Sequence, residues 1–383
     1  RPLSACPALS WHRLLSTACP TQPHHHTVLG IETSCDDTGL AVVSSDGVVH
    51  AATLASQWSV HAPHGGIVPR LAARAHEEHF DRLLAHTLAS PRPRVDAVAV
   101  TAGPGLAPCL RVGMRKAQDL ATLWNVPLIP INHLEAHVLV ARLSTSPPAL
   151  AFPFLSLVVS GGHTLLALVR GIGTFERLGT TLDDAVGEAF DKVARILGLG
   201  YGATGGGAAL EVLARDGDAQ AIPFPVPLQR SARRRAGCDF SFSGLKTAVK
   251  YATDTMDLDD RQTAANVAAS FQRVAVAHLV QRVGMAADRC QARGMAVPRL
   301  VVCGGVARNG YLRRELSQWA DAAGTDAVFP VPELCTDNGI MVAWAGVERL
   351  VANDFTMPPL PDEVRGTRGP HRDEVPYHPR WPL

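Results

Sequence analysis

Two histidines stand four residues apart in the stretch INHLEAHVLV, residues 131–140. On a helix His133 and His137 share one face, one turn apart, the separation two imidazoles need to bind one metal ion. A zinc-protease site places a glutamate immediately after its first histidine. That position holds Leu134, and Glu135 comes one residue later, about 200° around the helix from His133. A carboxylate there faces away from the metal, so the pattern lacks a protease's general base. Helices that bind nothing also carry histidines at this spacing, so a third ligand is required. Asp337 in CTDNG, on a loop just before a helix, is the candidate. Two histidines and one carboxylate with open positions suit zinc or iron(II).

Four further segments, 158–163, 202–208, 303–309 and 335–339, place glycine or acid where each is read as the end of a strand. Glycine lets backbone N–H groups approach an anion, and a following helix start adds its positive dipole end. Four such loops in one chain favour a nucleotide or acyl-phosphate ligand. No GxxxxGK[ST] P-loop occurs, and no GxGxxG fingerprint in a first βα turn. His163 follows a Ser-Gly-Gly turn and is expected to line a cleft. Cys35, Cys303 and Cys335 sit in cleft loops without an evident base and read as packing residues. His76 and His79 in AHEEH read as solvated on a charged helix face, and the histidines at 24–26 as outside the fold. QRSARRRAG gathers Arg230, Arg233, Arg234 and Arg235 in a chain whose formal net charge is only +1. That makes it the best local patch for a phosphate backbone, and Phe240, Phe242, Lys246 and Lys250 follow it.

These residues need a scaffold that brings distant loops together. TVLGIETSCDDTGLAVVSSDGVV reads as strand, turn, strand, with Asp46-Gly47 as a second turn. Residues 67–90 read as a helix, VDAVAVTAGPGL as a strand running into a Gly-Pro-Gly loop, RVGMRKAQDLATLWN as a helix and VPLIPIN as a strand. The helix of the histidine pair follows, with Asn132 as its N-cap. STSPPALAFP, 144–153, reads as a linker, after which FLSLVVSGGHTLLALVR restarts the pattern. Two hairpin-led α/β halves predict two lobes around a cleft, with ligands beyond the carboxyl ends of strands. With 383 residues, 46% hydrophobic and 19% charged, the chain is long and apolar enough for such a core. Eight cysteines without a CxxC pair read as reduced thiols in an intracellular compartment. No run of about 18 apolar residues predicts a membrane span. Residues 1–26 contain Arg1 and Arg13, several Ser and Thr and no acid, the composition of a mitochondrial transit peptide.

In order along the chain, GIETSCDDTG, GPGL, NHLEAH, LVVSGGHT, GEAFDKVARILGL, FSFSGLKTAV, VCGGVARNGYLR and CTDNGIM resemble the motifs of the tRNA threonylcarbamoyladenosine synthases, also called O-sialoglycoprotein endopeptidase-like proteins. The resemblance is strongest to the mitochondrial branch and spans about residues 28–350. It implies a two-lobed α/β fold of the actin-like, sugar-kinase and heat-shock ATPase type with a central cleft. The expected division is a transit segment at 1–26, an N-terminal lobe at 27–148, a C-terminal lobe at 149–345, and a terminal helix with extended tail at 346–383.

The resemblance also implies one divalent metal ion per subunit, zinc or iron, on His133, His137 and Asp337. It implies a substrate-binding turn at Val158, Val159, Ser160, Gly161 and Gly162, ribose binding by Asp191, and a nucleotide-contacting amide at Asn309. Relatives often carry a Pro-Gly-Gly-Pro turn where this chain reads YGATGGGAALE. Gly206, Gly207 and Glu211 are the candidate contacts there, with the register open by one residue. The implied reaction moves a threonylcarbamoyl group from threonylcarbamoyl-adenylate, made by a separate synthase, to the exocyclic amine of the adenosine beside the anticodon, with release of AMP. The tRNAs would be mitochondrial ones reading codons that begin with adenine, the compartment the matrix, and the assembly a homodimer. Arg230, Arg233, Arg234 and Arg235 would steer the tRNA, and Glu32, Asp36 and His163 are the candidates for general base. A metallopeptidase, an actin-like kinase or ATPase, and a nucleotide-binding module without catalysis are the alternatives.

Overall fold

A computed structural model describes residues 25–64, 66–89, 94–143, 150–200, 205–229, 237–296, 298–355, 377–381 and 383. Nearly all of the candidate transit segment, and residues 144–149 of the expected linker, lie outside these.

The chain opens with a meander of β1 (Thr27–Glu32), β2 (Asp37–Ser44) and β3 (Val49–Ser56). A short α1 (Trp58–His61) and α2 (Pro69–Thr87) follow; Pro69 begins α2, where its missing N–H costs no helical bond. Next come β4 (Ala97–Gly103), α3 (Ala107–Trp124), β5 (Leu128–Asn132) and α4 (His133–Leu143). β1 pairs antiparallel with β2 and parallel with β4, giving a sheet in the order β3-β2-β1-β4-β5. β1 and β4 are buried along their whole length, which is why they read as unbroken apolar runs. β3, at the edge, alternates exposed and half-buried residues.

The second half repeats the plan. β6 (Phe154–Val159), β7 (Thr164–Gly171) and β8 (Thr174–Thr180) form a meander, and α5 (Val186–Ile196), α6 (Gly206–Ala214), α7 (Ser243–Thr253) and α8 (Arg261–Gln291) follow. β9 (Leu300–Cys303), α9 (Gly310–Ala323), β10 (Ala327–Val328) and α10 (Gly339–Val351) complete the strands and α-helices among the described residues. β6 pairs antiparallel with β7 and parallel with β9, so the second order is β10-β9-β6-β7-β8. The two sheets therefore share one connection plan, the two-lobed α/β architecture expected from the hairpin-led halves. The sequence carries no periodic signal for α8, because its 31 residues are buried on most sides and show no clean apolar stripe. Gly205 stands between α5 and α6, and residues 206–208 form the first turn of α6, not the end of a strand as expected.

Two helices sit between the sheets. Every α4 residue from His133 to Ala141 is buried. Ala136, Leu139 and Val140 pack with α10 and the first sheet, whereas Leu134, Val138 and Ala141 pack on β6, β7 and β9. α10 lies on β1 and β2 at backbone contact. A side chain at Gly39 would come within 2.6 Å of the Gly339 nitrogen, and one at Gly30 would collide with the backbone of Ala343. The expected boundary at 345 thus falls inside one helix, and that helix covers the first sheet, not the second. Chain order hides this, because the strands it covers are the first ones made. The tail also returns: Tyr377 and Trp381 pack on the core of the first lobe, and the His378 N–H donates to the Ala102 carbonyl at 2.6 Å.

Candidate active site

The N-terminus of α4 fixes the histidine pair. Asn132 ends β5, and its Oδ1 accepts from the Leu134 and Glu135 N–H groups at 2.9 and 3.2 Å, the capping role read from the sequence. Asp337 stands just before α10, whose first turn is capped by the Asn338 side chain. His137 Nε2 lies 3.0 Å and His133 Nε2 3.5 Å from Asp337 Oδ1. One ligand atom from each residue lies within 4.8 Å of the other two, the sole such group among the described residues. The donor set fits a divalent cation. Two nitrogens and one oxygen converge, and the far nitrogen of His133 is held by a carboxylate, the arrangement that orients an imidazole ligand. That carboxylate is Glu32, 3.2 Å from His133 Nδ1. Glu32 is fully buried, accepting from the Ser34 N–H and the Thr101 hydroxyl, each at 2.5 Å.

Electrostatics follow from this packing. Burial opposes a charge on His133, but Asp337 and then Glu32 outweigh it and push the imidazole up to about 9. Burial works against ionisation of Asp337 too, yet the two histidines hold it below the usual carboxylate range. Around them burial, and next Asp337, raise Asp36, and lift Asp37 to about 7. His163 is pushed down to about 4 by burial and by His133 and His137, so it stands neutral beside the triad. Burial raises the thiols of Cys35, Cys303 and Cys335, in keeping with packing rather than nucleophilic roles.

A cavity of about 360 Å³ adjoins the triad through Thr336, the chain neighbour of Asp337. It is lined by Gly161, Asp191, Gly207, Glu211 and Asn309, so residues from four separate motifs meet there. The Ser160–His163 turn rests on the start of α5: the Gly187 N–H donates to the Ser160 carbonyl at 3.2 Å, and a side chain at Gly187 would come within 2.6 Å of that oxygen. Asp191 Oδ1 accepts from the Gly207 N–H at 2.8 Å, tying the FDK helix to the glycine-rich loop. Glu211 Oε1 accepts from the Gly310 N–H at 2.9 Å. Asn309 uses its amide to cap α9 and to bond Gln272, so what it offers a ligand is limited by these bonds. Val158 and Val159 are fully buried with side chains in two different cores, and only the turn after them is open. Arg308 of GGVARN is exposed at the same cavity and is not among the candidates above; a cation beside a nucleotide-type loop is the signal that marks it. A second cavity, about 470 Å³, continues along α6 and shares Glu211.

Other expectations need correction. His76 is not solvated. It is fully buried, 2.7 Å from the Thr38 hydroxyl and 3.0 Å from the Cys35 carbonyl, because α2 turns that face onto the loop after β1. His79 is half-buried. Glu135 does face away from the triad, as the helical angle predicts, and is buried against Arg349. Phe240 and Phe242 are fully buried around His278 and cannot stack on bases. Lys246 pairs with Asp184 at 2.7 Å. Arg230, Arg233, Arg234 and Arg235 lie outside the described residues.

A family model described as TsaD, tRNA N6-adenosine threonylcarbamoyltransferase, matches residues 48–344. The chain is 42% identical over 370 residues to a probable mitochondrial tRNA N6-adenosine threonylcarbamoyltransferase of Arabidopsis thaliana, covering 93% of this chain and 74% of that one. It is 46% identical over 324 residues to the tRNA N6-adenosine threonylcarbamoyltransferase of Anaplasma phagocytophilum, covering 84% and 92%. Among solved structures, HypF of T. kodakarensis superposes with a TM-score of 0.56 at 14% identity, over 86% of this chain. The chain spans 48% of that protein, and the likeness concerns the fold alone.

Proposed function

The chain belongs to the tRNA N6-adenosine threonylcarbamoyltransferase family, and from that premise we propose that it transfers the threonylcarbamoyl group from threonylcarbamoyl-adenylate to the exocyclic amine of the adenosine beside the anticodon. The observation that carries the reading is a junction in the chain. Thr336 lines the nucleotide-sized cavity, and the next residue, Asp337, completes the group formed by the two histidines. Donor and metal would thus meet at one point.

The donor is a mixed anhydride, already activated, so orientation and charge stabilisation are the main demands. His133, His137 and Asp337 would hold zinc or iron, which when bound would supply Lewis-acid polarisation of the donor carbonyl. Gly161 and Gly162 would offer open backbone to the donor, Asp191 would accept from ribose hydroxyls, and Arg308 would face the phosphate. The amine nitrogen attacks the carbonyl carbon, the carbon–oxygen bond to phosphate breaks, and AMP leaves with the electron pair. The amine proton passes to a base. Glu32 is poorly placed for this, since Ser34, Thr101 and His133 occupy its oxygens, which leaves Asp36 and His163. An adenosine in an anticodon loop reaches the cleft by unstacking, which is cheaper than leaving a duplex.

The Arabidopsis relative's mitochondrial designation and the composition of residues 1–26 support a mitochondrial location; the matrix, and mitochondrial tRNAs reading codons that begin with adenine, would follow from the family resemblance. A separate synthase would supply the adenylate, and the working assembly would be a homodimer. Incubating the protein with unmodified tRNA and threonylcarbamoyl-adenylate, followed by nucleoside analysis, tests the reaction. Modified adenosine and AMP in equal amounts are expected; unchanged tRNA in the presence of intact donor and metal would overturn it. ATP turnover without tRNA would instead favour the kinase alternative.

A further inference from the structure

The glutamate between the two histidines is 1% exposed, and a buried carboxylate is costly unless paired. Its Oε2 accepts from Arg349 at 2.6 Å, and its Oε1 accepts from the Gly173 N–H, in the turn between β7 and β8, at 2.8 Å. Two turns further along α4, Arg142 Nε donates to Glu348 Oε1 at 2.5 Å, and Glu348 is 9% exposed. α4 thus presents an acid and then a base on one face, seven residues apart. α10 answers with a base and an acid at adjacent positions. The two pairs are opposite in sense.

Buried ion pairs contribute little net stability, since desolvation offsets their attraction, and their best-attested use is to fix register. Sliding α4 along α10 by one turn, about 5.4 Å, would break both pairs and strip the buried Glu135 and Glu348 of their arginines, although Arg349 would keep Asp354 and Arg142 the Leu150 carbonyl. It would also draw His133 and His137 away from Asp337, which stands two residues before α10. We propose that the pairs Glu135–Arg349 and Arg142–Glu348 are a register lock, positioning residues that hold the histidine-bearing helix against the helix that follows Asp337. The inference rests on the metal reading of the triad. It also assigns a task to the residue that made the motif look like a displaced protease signature.

The test uses the full chain and cobalt(II), whose visible absorption reports ligand geometry and whose affinity can be measured against a chromophoric chelator. The wild type is expected to bind cobalt. The double variant Glu135→Met with Arg349→Met replaces the pair by apolar side chains, which offsets part of the cost of leaving the Gly173 N–H without its acceptor and the exposed Asp354 without its arginine. Circular dichroism should therefore show a folded chain with a thermal midpoint within a few degrees, while cobalt affinity falls about 10-fold, the lower end of what losing a ligand's direct outer partner costs, with shifted bands. The pair Arg142→Met with Glu348→Met is the second case. Glu135→Gln keeps an oxygen for Arg349 and should restore most of the affinity that Glu135→Ala loses. Unchanged affinity and bands in a folded double variant would overturn the lock. So would unfolding of both doubles, which would make the pairs structural only. Failure of the wild type to bind cobalt would instead overturn the metal reading beneath it.

Discussion

The turn after β1 and the turn after β6 occupy the same place in the repeated plan, yet they are built from opposite materials. The first, Thr33 to Asp36, is rich in side-chain donors and acceptors, and Thr33 and Ser34 are buried. The second, Ser160 to His163, contains Gly161 and Gly162, both exposed. One lobe holds its share of the site with packed side chains bonded to one another, as in Thr101–Glu32–His133. The other offers open backbone at loop ends. The difference matches what the two proposed ligands would require. A metal needs side-chain donors fixed by a supporting layer, whereas a nucleotide needs close backbone approach. A duplicated architecture can therefore divide labour by changing turn chemistry alone.

The comparison breaks most visibly at the buried ligands. His137→Ala should lower transfer at least about 100-fold and remove bound metal, checked by nucleoside and elemental analysis; retained turnover would show that the triad is not the metal platform. Glu32→Gln should cost less, about 10- to 100-fold in metal affinity, read by chelator competition. On the opposite turn a side chain at Gly161 would meet nothing within 4 Å. Gly161→Ala should leave the thermal midpoint unchanged and raise KM for the adenylate severalfold with kcat nearly constant, so an unaltered KM would mean the ligand does not touch this turn.

Histidines give a smaller contrast. His278, packed edge-on against Phe240 and Phe242, is pushed down to about 3 by burial and then by Arg282. The unfolded chain, with an ordinary histidine near 6.5, binds the proton more readily, so stability is lost as pH falls below that value. The loss attributable to His278 should be about 1 kcal/mol between pH 6.5 and 5.5, and urea melts of His278→Gln should lack that component. Smallest of all, Arg74→Ala removes an exposed pair with Glu78 at 2.8 Å and should change stability by about 0.5 kcal/mol or less.

Much of this was legible before any coordinates. A helical period puts His133 and His137 on one face and Glu135 on another, and hairpin-led halves announce two lobes. What local sequence could not show is which faces meet. His76 sits in a charged run, and only the arrival of Thr38 and the Cys35 carbonyl from another element buries it. Glu32 is one acid among several until β4 brings Thr101 beside it. Val158 and Val159 belong to a motif whose exposed part is the turn that follows them. α8, buried on most sides, offers no periodicity to read.

The return of α10 to the first sheet also sets an order of assembly. A ribosome, or an import channel threading the chain from its N-terminus, delivers β1 and β2 long before Gly339–Val351. Until α10 emerges, the face of the first sheet around Gly30 and Gly39 has no cover. The lobe made first is finished last, and it must wait as a partly built sheet for the rest of the molecule.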